Sequence, residues 1–339
     1  MDCNLFSCDG IAEEDTVNLT LTLDETNVPT EQNGHICQTF DIPSDKDYHL
    51  FATQPIIDNQ NVIHHMFLYG CETTTTEYDT PDECHMGGGL CTTLLSYWTI
   101  GLTGDCLRSS DGILVGNSSF QKVLLQVHWY NLNMTENQKD ASGMTLFLTS
   151  RLRSKNIGFL TTGTEEIRIP PATDEYSAKD TCTGYCILED INEPIYITGV
   201  HLQMNRLGKL GKIEQYRADK LEEILYSQQD YVYDLPNTKY YKRLAQPIRL
   251  LQADELKVSC TYDSTSMSRT VSFGDEISDE KCYAHFHYYP AGGARVRCVA
   301  GEEEKVCLSK PSDKNSGISS SFNLIILLST PLITATRYA

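Results

Sequence analysis

Residues 61–71 read Asn-Val-Ile-His-His-Met-Phe-Leu-Tyr-Gly-Cys, an apolar run rich in β-branched and aromatic side chains and closed by glycine and cysteine. That composition and length predict a buried strand. Its adjacent histidines, His64 and His65, pose a geometric problem, because neighbouring side chains on a strand point to opposite faces. Both imidazoles can reach one centre only where the strand bends, bulges or ends. Comparable runs recur at 17–23, 123–130, 143–149, 195–202, 256–262 and 283–289, each bounded by Asp, Asn, Gly or Pro. Helical periodicity is scarce, and 218–228 is the best helix candidate. Many short strands with turn signals predict an all-β fold of β-sandwiches. A loop at Ile169-Pro170-Pro171 divides the chain about in half. The expected architecture is two tandem antiparallel, jelly-roll-like sandwiches stapled by disulfides. The expected boundaries are an N-terminal segment 1–20, sandwiches 21–160 and 161–308, and a tail 309–339.

The composition narrows the function. At 339 residues the chain has room for two domains, or one large all-β unit, on a prior of roughly 150 residues per domain. It carries 27 basic and 46 acidic residues, a formal net charge of −19. That balance argues against a nucleic-acid partner and does not favour anionic lipid. With 40% hydrophobic and 22% charged residues the chain is not disordered. Thirteen cysteines point to the secretory pathway and an extracellular or cell-surface protein. Their odd count leaves at least one without a partner in this chain. Sequons at Asn18, Asn117 and Asn133 add modest support for a secreted glycoprotein. The first ten residues, MDCNLFSCDG, lack the basic and apolar regions of a signal peptide, so a truncated or trimmed start is expected. Residues 310–321 are small and polar, and they lead into the apolar FNLIILLSTPLITAT at 322–336. This is the pattern of a GPI-anchor signal, hence membrane attachment through a lipid; a disordered tail is the alternative.

Histidine marks the chemistry. Besides His64 and His65, His128 sits in Val123-Leu-Leu-Gln-Val-His-Trp-Tyr130, and His201 in Val200-His-Leu-Gln-Met204. In Asp279-Glu-Lys-Cys-Tyr-Ala-His-Phe-His-Tyr-Tyr-Pro290, Lys281, Tyr283, His285 and His287 share one strand face by period two. A third imidazole from another strand would complete a three-nitrogen site with His64 and His65, and imidazole suits copper, zinc, iron and nickel. An isolated His-His pair, however, is more often a half-buried strand pair with hydrogen-bond partners.

Taken together and in order, these motifs resemble the copper type II, ascorbate-dependent monooxygenases: dopamine β-hydroxylase, tyramine β-hydroxylase and peptidylglycine α-hydroxylating monooxygenase. The resemblance rests on His-His-Met followed by Gly-Cys at 64–71 and Leu-Gln-Val-His at 125–128. It continues through Ser-Cys-Thr-Tyr at 259–262 and the stretch from Asp-Glu-x-Cys to His-Tyr-Tyr-Pro at 279–290. It implies two sandwich domains with one copper each across a cleft. One copper stores an electron, held here by His64, His65 and His128. The other, at His201, meets O2 and substrate while ascorbate supplies electrons. It also implies disulfides Cys37–Cys84, Cys71–Cys91 and Cys260–Cys282. One of Cys182 and Cys186 should pair with Cys298, and Cys186 is the choice matching the peptidylglycine branch; the other is left for Cys307. Cys3 and Cys8 are then expected to pair with each other, with Cys106 as the odd thiol.

The second copper site departs from the family pattern. Its His-x-His pair reads His201-Leu202-Gln203, the methionine position is Lys281, and two residues are inserted between Gln203 and Gly208. An amide oxygen is a poor Cu(I) donor, and an ammonium has no lone pair and repels a cation. His285, or less readily Met204 on the opposite strand face, could rescue the site; Tyr283 and His285 are expected to face the substrate cleft. Three readings follow. One is a copper-binding secreted or surface relative with impaired hydroxylation. Another is an active monooxygenase acting on a small amine or a peptide through two coppers. The last is a structural glycoprotein with a relic site. A homodimer is left open.

Overall fold

The computed structural model describes residues 6–31, 33–71, 77–84, 91, 93–188, 193–231, 241–274, 278–292 and 297–301. Nearly all regular structure is strand, as expected, and it forms two sandwiches. In the first, one sheet runs Thr16–Thr22, Gly143–Thr149, Asp47–Ile56, Asp111–Gly116 in spatial order. The facing sheet runs Asn33–Asp41, Lys122–Tyr130, Ile63–Cys71, Thr93–Thr99. In the second, Tyr241–Leu250, Ile195–Gln203, Cys282–Tyr289, Gly158–Thr164 and Arg297–Ala300 make one sheet. Tyr176–Thr183, Asp254–Tyr262, Gly208–Arg217 and Lys220–Gln228 make the other. Pairing among these long strands is antiparallel except between Gly158–Thr164 and Arg297–Ala300. The chain passes between sandwiches at Ile157: Lys155 and Asn156 still pair with Asp111 and Gly112, whereas Gly158 pairs with Tyr288.

Each sandwich has its own core, and alternation along the strands explains it. On Lys122–Tyr130, Val123, Leu125, Val127 and Trp129 enter the inter-sheet core, while Leu124, Gln126 and His128 face the other way and are also buried. A strand covered on both faces reads as a continuous apolar run, as this one does. Trp129 is pinned by its indole N–H, which donates to Asp140 Oδ2 at 2.7 Å. Asp140 is fully buried and also accepts from the Ser142 hydroxyl and the Asn59 backbone N–H.

Several expectations are corrected. Residues 218–228 are not a helix: Lys220–Gln228 is a strand hairpinned to Gly208–Arg217 through Ala218 and Asp219, at φ 49° and 62°. Two register shifts in this hairpin break the period-two pattern, and Leu221 and Ile224 lie exposed on an outer strand, which mimics helical spacing. Among the cysteines, Cys37–Cys84, Cys71–Cys91 and Cys260–Cys282 are bridged as expected. Cys106 is no free thiol, because it pairs with Cys8. Cys298 pairs with Cys182 rather than Cys186. The short helix Gly184–Leu188 brings the Cys186 sulfur to 3.3 Å from that of Cys298, so both candidates come within reach and sequence spacing could not separate them. Cys186 is itself disulfide-bonded, so the Cys182, Cys186, Cys298 cluster is not a ligand set. With Cys8 bridged to Cys106, the expected Cys3–Cys8 pair does not form; the expectations for Cys307 and the tail 309–339 lie outside the described residues. The bridges suit an oxidising compartment. No helix among the described residues is long and apolar enough to cross a membrane.

Asp140→Ala removes the acceptor of two side-chain donors and one backbone donor at once. We expect it to lower unfolding free energy by ~3 kcal/mol in denaturant titrations, with Asp140→Asn losing less.

Candidate metal centre

The problem posed by His64 and His65 is solved by a bulge. Met66 pairs with Val127 and His65 with His128, but the next residue, Trp129, pairs with Ile63. His64 is the extra residue. Burial parity agrees: Ile63, Met66 and Leu68 all enter the inter-sheet core, although Ile63 and Met66 are three apart and would face opposite ways on a regular strand. The bulge swings His64 onto the face of His65. Its Nδ1 lies 2.9 Å from His65 Nδ1, and His128 Nδ1 lies 3.3 Å from the same atom. The His64 and His128 nitrogens thus both approach that of His65. His128 is 2% exposed, and its Nε2 is buried with no hydrogen-bond partner. Burial, then the neighbouring imidazoles, holds His65 well below the usual histidine range; burial and the charges around it do the same for His128. Both rings are therefore neutral at physiological pH, the form that ligates metal. Convergent neutral imidazoles fit a nitrogen-preferring transition metal such as copper.

A fourth histidine, missed in the sequence reading, joins them. His35 pairs directly with His128 across the sheet. Donor atoms of His35, His65 and His128 all lie within 4.8 Å of one another. Only the pairing register reveals this, since nothing near Asn33-Gly-His-Ile-Cys37 marks the residue.

The expected second site is built differently. His201 and His285 are direct cross-strand partners, with rings stacked at 5.9 Å. His285 has both ring nitrogens engaged: Nδ1 with Thr161 Oγ1 at 3.0 Å and Nε2 with Gln203 Oε1 at 3.1 Å. Because the amide oxygen only accepts, Nε2 carries the proton and Nδ1 accepts from Thr161. Met204 packs into the second core with Leu202, against Gly211, and also lines the cavity that His201 and Gln203 line. Lys281 is 4% exposed, and its charge is felt at His65, His128 and His285 alike. Tyr283 departs from expectation. It is fully buried, and its hydroxyl donates to Glu165 at 2.6 Å and accepts from Arg297 at 3.0 Å, so it does not face the cleft.

The histidine groups of the two sandwiches lie close. The Tyr97 ring is 4.6 Å from that of His201 and 6.4 Å from that of His65. A cavity of about 30 Å³ is lined by His64, His65, Tyr97, His201 and Gln203. A second of equal size is lined by Tyr97, Phe159, Thr161, His201 and His285. Each has room for about two waters, too little for an aromatic amine. Arg206, in the segment carrying the insertion, lays its guanidinium over the Tyr130 ring at 4.6 Å and donates to its hydroxyl. The Tyr130 ring in turn lies 6.0 Å from that of His64.

A pair of disulfide-stapled sandwiches with a buried, bulge-built imidazole cluster defines a metal-site β protein, and comparison makes the class specific. Residues 19–136 match the family described as copper type II ascorbate-dependent monooxygenase, N-terminal domain, and residues 155–315 match its C-terminal domain. The chain belongs to this family, which implies copper and ascorbate. DBH-like monooxygenase protein 1 of Gallus gallus is 26% identical over 288 residues, 80% of this chain and 46% of that one. Dopamine beta-hydroxylase of Bos taurus is 24% identical over 294 residues, 81% of this chain and 46% of that one. The chain thus spans about half the length of the curated relatives it matches. Among solved structures, the major capsid protein P2 of bacteriophage PM2 has a TM-score of 0.35 at 9% identity, covering 80% of this chain and 97% of that one, and carries no argument.

The buried histidines set the pH response of the metal-free protein. His65, His128 and His285 have folded pKa values below the unfolded value near 6.5, burial being the first cause of each. The unfolded chain therefore takes up protons first, and stability present above pH 6.5 is lost as pH falls. Glu280, raised to about 7 by burial, acts oppositely, because it gains a proton in the folded state first. His49 is likewise lowered by burial, so four groups outweigh one. We expect unfolding free energy to drop between pH 6.5 and 5 by ~1.4 kcal/mol per unit for each net group. Denaturation at stepped pH should show this fall, steeper in Glu280→Gln and shallower in His65→Gln.

Proposed function

We propose that this chain is a copper-binding secreted or surface glycoprotein of its family, with one working copper site and impaired or lost hydroxylation. His64, His65 and His128 would hold the copper. When bound, copper supplies one-electron redox chemistry, with ascorbate as the reductant. The chain's own residues do the rest: the bulge brings His64 onto the face of His65, and burial keeps His65 and His128 unprotonated. The observation that carries the reading is the buried Lys281 beside His285, which is already bonded through both nitrogens. A cation at this position repels a metal cation. His201 alone is a poor anchor for copper. The exposed sequon residues Asn18, Asn117 and Asn133 are accessible to glycosylation, and the lipid-anchor reading of the tail stands with this proposal.

The alternative is an active monooxygenase of a small amine or a peptide. It is favoured by the Tyr97 ring, which bridges His65 and His201 as an electron path would require.

Copper analysis after Cu(II) loading and dialysis separates the two. We expect one copper per chain, lost in His128→Ala and kept in His201→Ala. The double variant Gln203→His with Lys281→Met is expected to take up a second. Two coppers in the unaltered chain, one of them lost in His201→Ala, would overturn the proposal, as would ascorbate-dependent O2 consumption with an amine or peptide.

A further inference from the structure

We infer that His35 is a fourth imidazole of the metal site, and that it biases the site toward Cu(II). The inference rests on the copper reading above and concerns a residue outside the three ligands that reading uses.

The argument starts from register. His35, His128 and His65 occupy directly paired positions on three adjacent strands, Asn33–Asp41, Lys122–Tyr130 and Ile63–Cys71. Directly paired residues project from the same face, so the three rings form a row across the sheet. The His35 ring lies 4.3 Å from that of His128 at an interplanar angle of 8°, and 6.5 Å from that of His65. The donor atoms of these three residues lie within 4.8 Å of one another. Two nitrogens bound to one ion at about 2 Å each are separated by at most about 4 Å, so a small ring rotation brings His35 into the shell. His64, the extra residue, borders this row through its Nδ1, 2.9 Å from His65 Nδ1. With His64 drawn in, one ion would have four imidazoles, three from paired strand sites and one from the bulge.

The consequence is chemical. Four nitrogen donors suit the tetragonal preference of Cu(II), whereas softer or fewer ligands favour Cu(I). A fourth imidazole stabilises the oxidised ion more than the reduced one. Ascorbate should reduce this site less readily than a three-histidine site, and the protein should retain Cu(II) more tightly.

The test uses the full chain and the metal alone. His35→Phe keeps a flat ring against His128 and removes both nitrogens; His35→Gln removes the imidazole with a polar replacement and guards against misfolding of the first variant. Pulsed EPR of Cu(II)-loaded protein counts coupled imidazoles, and competition with chelators measures Cu(II) and Cu(I) affinities. The expected result is four imidazoles in the unaltered chain and three in both variants. Cu(II) affinity should fall at least about tenfold, with Cu(I) affinity changed by less than about threefold. Three imidazoles in all proteins with unchanged affinities would overturn the inference and leave the three-histidine copper site standing. Absence of bound copper in the unaltered chain would overturn both.

Discussion

The bulge at His64 is the constraint on which the site depends. Without the extra residue, His64 would point into the inter-sheet core and Ile63 out of it, and the strand would offer one imidazole per face. The bulge trades a regular ladder for the approach of His64 to His65, whose Nδ1 His128 also meets. It is tolerable because the flanking positions are overdetermined. Ile63, Met66 and Leu68 are locked in the core, and Trp129, opposite the irregularity, is tied to buried Asp140.

The second sandwich repeats the plan with different chemistry. There too a cross-strand histidine pair, His201 and His285, lies on one face of a sheet. No bulge-converged set of lone pairs faces them. Thr161 and Gln203 occupy the nitrogens of His285, and Lys281 brings positive charge into the same space. In the first sheet His65 and His128 are held neutral by burial, and in the second the nitrogens of His285 are both hydrogen-bonded. Contacts between the sandwiches reinforce this. Arg206 lies on Tyr130, Arg108 donates to the carbonyls of Thr198 and Leu244, and Lys155 lies over Tyr289. Little room is left between the two histidine groups.

Much of this was legible in the linear chain. Strand composition, turn residues and cysteine count pointed to a stapled all-β fold because those signals are local. Runs such as Val123–Tyr130 are apolar on both faces and leave little alternative to a buried strand. His64, His65 and His128 stood out as residue types in family order, and so did the substitutions at Gln203 and Lys281. The hairpin at 218–228 was misread because two register shifts on an exposed strand erase the period that identifies a strand. Cys182 and Cys186 could not be separated, since one turn of helix places both near Cys298. Tyr283 shares a strand face with His285, but the Glu165 and Arg297 side chains that cover its hydroxyl come from distant sequence.

The sequence by itself determined the fold class, the order of three of the histidines and the placing of Gln203 and Lys281 beside the others, because these depend on residue type and short-range pattern. Only the tertiary structure decided that the His64 ring shares a face with His65, that His35 stands beside His128, and that both nitrogens of His285 are taken. Each of these is a matter of register between strands far apart in the chain. Register is set by how whole sheets pack against one another, which no local stretch of sequence encodes.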